Sequence, residues 1–145
     1  MKTLKAGCFL IDCENQKIAL VHREKQNDYS FPKGHVEEGE DILTAAIRET
    51  AEETKRIAVV LEEYEPHLEQ YTTPLGEECA CYMFVAVDAG TSDNDSTDTH
   101  EVVWVPFEKV GEVVTYQSLK DAWNEVKDSV FEVINKYKND KDAEN

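Results

Sequence analysis

Three glutamates of one segment, Glu49, Glu52 and Glu53, are spaced i, i+3 and i+4. If residues 41–54 form a helix, this spacing places the three carboxylates on the same side. Carboxylates crowded on one face repel each other, so a fold rarely keeps them there without a counter-charge. The usual counter-charge for a set of oxygen ligands is a hard divalent cation, Mg²⁺ or Mn²⁺. The spacing therefore predicts a metal site on this helix.

The surrounding sequence, GHVEEGEDILTAAIRETAEETKR, resembles the Nudix box. That motif consists of Gly, five residues, Glu, seven residues and then R-E-U-x-E-E-x-G-U, where U is aliphatic. All of the chemically demanding positions are matched, by Gly34, Glu40, Arg48, Glu49, Glu52 and Glu53. The resemblance continues through EVVWVPFEKV and the helix entry at 115–119, so it covers most of the chain.

Two positions depart from the motif. Thr50 stands where an aliphatic residue is expected, although its methyl group can still face a core. Lys55 stands at the glycine that ends the helix, a position that favours the left-handed backbone conformation. We therefore expect the helix either to continue for a residue or two, or to end with Lys55 and Arg56 interacting with its last carbonyls.

The resemblance implies that the three glutamates bind Mg²⁺ (or Mn²⁺), with the backbone carbonyl of Gly34 as a further ligand. It also implies an activity, the metal-dependent hydrolysis of a diphosphate linkage in a nucleoside diphosphate derivative. Arg48 is expected to form an ion pair that orients a glutamate of the helix, in particular Glu49. We expect Arg48 and Glu52 to belong to the catalytic residues.

The general base has two candidates. Glu53 belongs to the box and is also a predicted metal ligand, whereas Glu101 follows an acidic loop and precedes a predicted strand. Nudix enzymes take this base from either place, and both stay open. Glu40 either fixes the loop or takes part in the chemistry. His35 is either a phosphate contact or leaving-group donor, or a loop histidine exposed to solvent.

The stretch FPKGHVEEGE is similar to one found in diadenosine tetraphosphate hydrolases of the asymmetrically cleaving type. Tyr82 falls where those proteins carry an aromatic strand residue, but the lysine that usually precedes it is absent, with Glu77 and Glu78 nearby. A dinucleoside polyphosphate is therefore one expected substrate. The alternatives are another nucleotide pyrophosphate (a nucleoside triphosphate, a nucleotide sugar or an RNA 5′ end), a catalytically silent nucleotide-binding module, and a metal-binding structural protein.

Substrate contacts are expected from two kinds of side chain. Lys33, His35 and Arg23 are the candidates for phosphate groups, with Arg23 in a solvated loop as its alternative. A base needs a flat apolar platform, for which the candidates are Tyr29, Phe31, Tyr71 and Tyr82. Of these four, we expect Tyr29 and Tyr82 to reach the substrate and the other two to be buried in the core.

The predicted elements alternate between strands and helices. Strands are predicted at 4–11, 17–22, 57–64, 67–73, 78–87 and 101–105, with a short extended piece at 29–31 and a turn at 32–34. The first helix should begin near Asp41, a good N-cap residue. Its core face is predicted to carry Leu43, Ala46, Ile47, Thr50 and Ala51.

A short helical turn is predicted at 107–110 and a last helix at 117–137. The core face of the last helix is predicted to carry Leu119, Ala122, Trp123, Val126, Val130, Phe131, Ile134 and Tyr137. This order fits fold class α/β, as the α/β/α sandwich of Nudix proteins with a mixed central sheet. We expect a single domain over 1–145, with about 139–145 as a disordered tail.

The formal net charge of this 145-residue chain is −16, and this acidity restricts the classes of partner that we expect. Duplex DNA and anionic membranes are not expected, because surfaces that bind polyanions cluster Lys and Arg. A small-molecule nucleotide remains compatible if metal ions supply positive charge locally. The acidic run 91–98 is expected to be a polar loop, or alternatively a second metal contact. No apolar run is long enough to span a membrane.

The four cysteines, at 8, 13, 79 and 81, are expected to be small apolar residues in a reducing cytoplasm. A zinc site built from all four is the alternative. The resemblance also suggests a homodimer, because Nudix proteins often dimerise.

Overall fold

The computed structural model describes residues 2–97 and 100–143. The strands are β1 (Lys2–Asp12), β2 (Lys17–Arg23), β3 (Asp28–Ser30), β4 (Lys33–His35), β5 (Arg56–Val60), β6 (His67–Thr72), β7 (Glu78–Thr91) and β8 (Glu101–Pro106). The helices are α1 (Ile42–Thr54), α2 (Val110–Val113) and α3 (Gln117–Ala143), and a 3₁₀ turn covers Phe107–Lys109. Among the described residues, none of the helices has the length and apolar character that a membrane span requires.

The strands form one mixed sheet with the path β3-β2-β1-β7-β5, to which β4, β6 and β8 are added beside β1, β7 and β2. β1 and β7 run parallel along most of their length, and the other pairs are antiparallel. β4 lies very close to β1, because a Cβ atom at Gly7 would stand 2.0 Å from the carbonyl oxygen of Pro32. The predicted α/β fold with a mixed central sheet is confirmed.

The two faces of the sheet carry two different cores. On one face Phe9, Phe31 and Trp123 belong to a large cluster that includes the buried side of α3. On the other face small residues such as Ala6 and Ala46 pack together, which brings α1 close to the sheet. The helices thus cover both faces, as a sandwich requires.

Several predicted boundaries are wrong by a few residues. β5 ends at Val60 and a turn follows, in which the Tyr64 amide donates to the carbonyl of Leu61. Lys33 and Gly34 lie in β4 and not in a turn. α3 continues to Ala143, so residues 139–143 of the expected tail are helical. Residues 144 and 145 lie outside the described part.

The buried faces of α1 and α3 are rotated slightly from the faces predicted from the sequence. α1 buries Ala45, Ala46, Thr50 and Thr54, whereas Leu43, Ile47 and Ala51 are only half-buried. On α3, Val133 is buried, but Phe131 is 51% exposed and Tyr137 is 36% exposed. The physical reason for α1 is that it meets the sheet through its smallest residues. On α3, the Phe131 ring packs at the edge of the buried face, with its centroid 5.8 Å from that of Phe107.

Lys55 takes over the role of the missing glycine. α1 ends at Thr54, and Lys55 itself has left-handed dihedral angles (φ 60°, ψ 28°) with its amide bonded to the carbonyl of Ala51. Its ammonium group donates to the carbonyls of Glu52 (2.9 Å) and Ser96 (2.7 Å). The expectation that the helix continues past its motif end is wrong. The other expectation, that Lys55 interacts with the last carbonyls of the helix, is confirmed. Arg56 instead binds Asp88.

The Thr50 hydroxyl is fully buried, and its polar neighbour is the Cys8 thiol, a weak hydrogen-bonding group that does not satisfy it. Thr50→Val keeps the shape and removes this poorly satisfied group, so we expect the free energy of unfolding to rise by up to about 1 kcal/mol. Thr54→Val is the matched control. Its hydroxyl donates to the carbonyl of Thr50 and accepts from the Arg56 amide, so this change should destabilise. Urea denaturation measures both, and a loss of stability in Thr50→Val would contradict the argument.

Candidate active site

Arg48 connects the loop before α1 to the acidic face of that helix. Its Nε and Nη2 atoms donate to the two carboxylate oxygens of Glu40, at 2.7 and 3.0 Å. Nη1 donates to Glu49 (2.9 Å) and Glu52 (3.1 Å), and Nη2 also donates to the carbonyl of His35. These contacts raise the pKa of Arg48, chiefly through its hydrogen bond to Glu40. The ion pair expected from the sequence is present, although Arg48 hydrogen-bonds three carboxylates and lies 3.8 Å from a fourth, that of Glu37.

Glu40 is engaged on both sides by this loop. The hydrogen bonds from Arg48 lower the pKa of Glu40 to about 2, and its carboxylate also accepts from the backbone amide of Glu37. Of the two roles left open for Glu40, this geometry favours fixing the loop.

Gly34 and Glu49 are in direct contact. A Cβ atom at Gly34 would stand 2.0 Å from Oε2 of Glu49, so any other residue would displace that carboxylate. Burial raises the pKa of Glu49. The glycine at the start of the motif therefore makes room for a carboxylate at its centre.

Glu53 lies one turn further along α1 and accepts a hydrogen bond from the Lys33 amide at 2.8 Å. Glu49 and Glu53 together line a cleft of about 230 Å³. Its other lining residues are Arg23, Ser30, Phe31, Lys33 and His100. Glu52 is not among these lining residues, and its carboxylate contacts Arg48 instead.

Within residues 2–97 and 100–143, no three His, Cys, Asp or Glu side chains converge in the geometry of a formed metal site. At the acidic face of α1, the Arg48 guanidinium lies 2.9 Å from the Glu49 carboxylate and 3.1 Å from that of Glu52. The zinc alternative fails. Cys8 and Cys81 belong to the cores on opposite faces of the sheet, and all four cysteines are free thiols.

A second lobe of about 220 Å³ adjoins the cleft. Arg23, Ser30 and Lys33 line both lobes. The second lobe is completed by residues of β6 and of the approach to α3, namely Glu69, Tyr71, Tyr116, Ser118 and Leu119. One lobe is thus acidic and polar, the other is walled by tyrosines, and two cations stand between them.

Arg23 is held in place by a buried carboxylate. Its guanidinium binds both oxygens of Asp28, at 2.8 and 2.5 Å, and the Tyr116 hydroxyl donates to the same carboxylate at 2.7 Å. Asp28 is 1% exposed, and the hydrogen bond from Arg23 lowers its pKa to about 2. The network positions Arg23 between the lobes, and Arg23 is not in a solvated loop.

A pH-dependent stability follows from this network. Because folding depresses the pKa of Asp28, its contribution is complete above the unfolded value of 3.8 and is lost as pH falls through about 2. We expect Asp28→Asn to destabilise by about 1–2 kcal/mol at neutral pH, an estimate reduced because Arg23 is partly exposed. The deficit relative to wild type, measured by urea denaturation, should disappear toward pH 2. A deficit that does not change with pH would contradict this assignment.

The structure places four further predicted site residues outside the lining of the two lobes, namely Glu101, Tyr29, Tyr82 and His35. Glu101 is 59% exposed and lies 3.4 Å from the His22 ring. Tyr29 stacks on the same ring, with centroids 4.4 Å apart. Tyr82 aligns with Ala6 in the β1–β7 ladder, on the face of the sheet that carries α1. His35 is exposed and contributes its carbonyl to Arg48.

Five polar or aromatic residues of the two lobes were missed from the sequence: Ser30, Glu69, His100, Tyr116 and Ser118. One signal was available for Glu69, because His67, Glu69 and Tyr71 alternate with exposed residues along β6 and therefore share a face. Tyr71, expected in the core, packs against it partly buried and also lines the second lobe. Of the acidic run, Asp98 lies outside the described residues, and Ser96 is bound by Lys55.

The chain resembles known proteins in sequence and in fold. It is 32% identical over 101 residues to a Mycolicibacterium smegmatis protein named 8-oxo-(d)GTP phosphatase, covering 69% of this chain and 30% of that one. A second curated relative, from Bacillus subtilis, is 31% identical over 68% of this chain and 64% of its own length. The chain therefore spans less than two thirds of either relative.

Two solved structures share the fold. A NUDIX hydrolase from Nitrosomonas europaea superposes with a TM-score of 0.72 at 16% identity, over 89% of this chain and 90% of that one. A C. elegans Ap4A hydrolase complex gives 0.67 at 21% identity, over 90% and 98%. The model of the NUDIX domain matches residues 1–131. With the motif, the fold and this match in agreement, the chain belongs to the NUDIX family.

Proposed function

We propose that this chain is a Mg²⁺-dependent pyrophosphohydrolase that cleaves a diphosphate linkage in a nucleotide. The observation that carries the proposal is the convergence of two α1 carboxylates, Glu49 and Glu53, with two cations, Arg23 and Lys33, on one cleft. A polyphosphate repels an attacking water, so its hydrolysis needs charge neutralisation and positioning in the same place.

The donors at the acidic face of α1 suit magnesium. They are carboxylate oxygens, and Gly34 leaves space that the Glu49 carboxylate fills. Glu49, Glu52 and Glu53 would hold the ion, with the carbonyl of Gly34 as a further ligand. When bound, the ion supplies positive charge to the phosphate oxygens and acidifies a coordinated water. The chain's own part is to gather these oxygens, and Arg48 does so by anchoring Glu49 and Glu52.

Glu53 is the better candidate for the general base. It lines the cleft, and the hydrogen bond from the Lys33 amide fixes its orientation. Glu101 is paired with His22 and lies outside the described lining. A base must stand within hydrogen-bond reach of the water that it deprotonates. We therefore assign proton abstraction to Glu53.

The positions of Arg23 and Lys33 between the two lobes indicate the orientation in which the substrate binds. Arg23 and Lys33 line both lobes, so a phosphate chain extending from the acidic lobe passes them on its way to the tyrosine-walled lobe. Aromatic side chains suit the flat face of a base. A single nucleotide fits this layout, with its phosphates at α1 and its base near Tyr71 and Tyr116.

A nucleoside triphosphate is our first candidate substrate, since one lobe accommodates one base and a related chain is named as an 8-oxo-(d)GTP phosphatase. A dinucleoside polyphosphate is the second candidate, favoured by the FPKGHVEEGE stretch and by Lys33 beside the acidic lobe. The net charge of −16 agrees with a free nucleotide and disfavours duplex DNA and anionic membranes.

The test is hydrolysis of a panel of nucleotides with Mg²⁺, followed by chromatography of the products. The panel should contain nucleoside triphosphates, diadenosine tetraphosphate, a nucleotide sugar and an RNA with a 5′ triphosphate. We expect Mg²⁺-dependent release of a nucleoside monophosphate from at least one of them. Nucleotide binding without turnover of any compound would instead identify a catalytically silent module.

A further inference from the structure

The second lobe contains a carboxylate, that of Glu69, without a partner among the residues that the structure describes. Glu69 is half-buried in β6 and lines this lobe together with Tyr71, Tyr116 and Leu119. Within the described part of the chain, its carboxylate makes no hydrogen bond and no ion pair. Of the nearby cations, Arg23 binds Asp28, the Lys5 ammonium lies 5.7 Å from the Tyr71 ring centroid, and Lys33 lines both lobes.

The walls around Glu69 suit a flat, neutral group. Tyr71 comes from β6 and Tyr116 from the segment before α3, and Leu119 adds a buried apolar surface. A phosphate group would be repelled by the Glu69 carboxylate and attracted to Arg23 and Lys33 at the junction. The base, and not a phosphate, is therefore the part of the substrate that faces Glu69.

An ionised carboxylate has two acceptor oxygens and no donor. The edge of a base that matches it must present two adjacent N–H donors. Guanine does so through N1–H and its 2-amino group, and 8-oxoguanine keeps both donors. The Watson–Crick edge of adenine presents one donor beside one acceptor, so its N1 lone pair would face the carboxylate. Hypoxanthine keeps N1–H but lacks the amino group.

We propose that Glu69 is a specificity-determining residue that selects nucleotides with a guanine-type base. This assignment rests on the proposed function, because it assumes that the phosphate chain enters from the acidic lobe. It refines that function by naming the base. It also predicts that glutamine at position 69 shifts the preference from guanine toward adenine nucleotides. The glutamine amide would present one acceptor and one donor, the pattern that complements adenine.

The experiment compares kcat/KM for dGTP, dITP and dATP in wild type, Glu69→Gln and Glu62→Gln. Glu62 is an exposed glutamate in the turn after β5, so its substitution makes the same change of charge outside the cleft. We expect wild type and Glu62→Gln to prefer dGTP over dATP and over dITP by about tenfold. Glu69→Gln should lower the dGTP to dATP ratio by at least about tenfold, mainly through KM, without a change in melting temperature.

Equal ratios in wild type and Glu69→Gln, or a wild type that prefers dATP, would overturn the proposal. Binding of dGMP and dAMP, measured by calorimetry on the same three proteins, tests Glu69 separately from catalysis. If no nucleotide is hydrolysed, the proposed function fails, and the two binding constants still decide the role of Glu69. Equal binding of both monophosphates to wild type would then contradict it.

Discussion

Glu53→Gln is expected to lower kcat for Mg²⁺-dependent nucleotide hydrolysis by at least about a hundredfold. The substitution removes one charge from the predicted metal site and also removes the proposed base. The amide oxygen of glutamine can still accept from the Lys33 amide, so the contact that fixes this side chain survives. The loss should therefore appear in kcat while the melting temperature stays near that of wild type.

The matched control for this measurement is Glu63→Gln, which removes one charge from the exposed turn after β5. It should leave kcat within about twofold of wild type, since exposed charges far from a site act weakly. Glu101→Gln addresses the other candidate base. A full loss of activity in Glu101→Gln, with Glu53→Gln nearly unaffected, would contradict the assignment of the base.

Arg48→Ala is expected to cost about 2–4 kcal/mol of unfolding free energy in urea without metal. The change leaves three partly buried carboxylates, those of Glu40, Glu49 and Glu52, without their shared partner. Mg²⁺ should restore part of this stability, because a divalent cation supplies the missing positive charge. Activity should fall as well, since the loop and α1 lose the guanidinium that joins them.

Arg56→Ala provides the control for Arg48→Ala. It removes a similar bidentate ion pair, which Arg56 forms with Asp88. This pair does not involve the glutamates of α1. We expect this variant to lose about 1 kcal/mol and to gain no more from Mg²⁺ than wild type does. A smaller loss in Arg48→Ala than in Arg56→Ala, or no specific recovery with Mg²⁺, would show that Arg48 is an ordinary surface charge.

Local patterns account for the parts of this site that sequence reasoning predicted. Glu49, Glu52 and Glu53 share a face because helical spacing alone determines it. Asp41 caps α1 through the Thr44 amide, as its residue type suggested. The contact between Gly34 and Glu49 joins residues of one continuous motif, so a single sequence signature contained both.

The second lobe could not be predicted in this way, because its walls come from separate parts of the chain. Tyr116 reaches the site through a hydrogen bond to Asp28, 88 positions earlier. Tyr82 was assigned to the substrate, yet its register against Ala6 places it on the α1 face of the sheet. Strand periodicity tells which residues share a face but not which face meets the cleft.

The helices likewise combine features set by local sequence with features set by contacts to distant parts of the chain. Lys55 adopts a left-handed conformation that costs a non-glycine residue about 1–2 kcal/mol. The two hydrogen bonds of its ammonium group offset part of that, and one of them depends on Ser96 in a distant loop. The burial of Val133 in place of Phe131 likewise depends on how α3 crosses the sheet.

The measurement that tests this account most directly is a Mn²⁺ titration followed by the electron paramagnetic resonance signal of the free ion. It compares wild type with the variant in which Glu49, Glu52 and Glu53 are all glutamine, and with a charge-matched variant in which Glu62, Glu63 and Glu65 are glutamine. We predict tight binding in wild type and in the charge-matched variant, and at least about tenfold weaker binding when the α1 glutamates are replaced. Equal Mn²⁺ affinity in all three proteins would contradict a metal site on this helix.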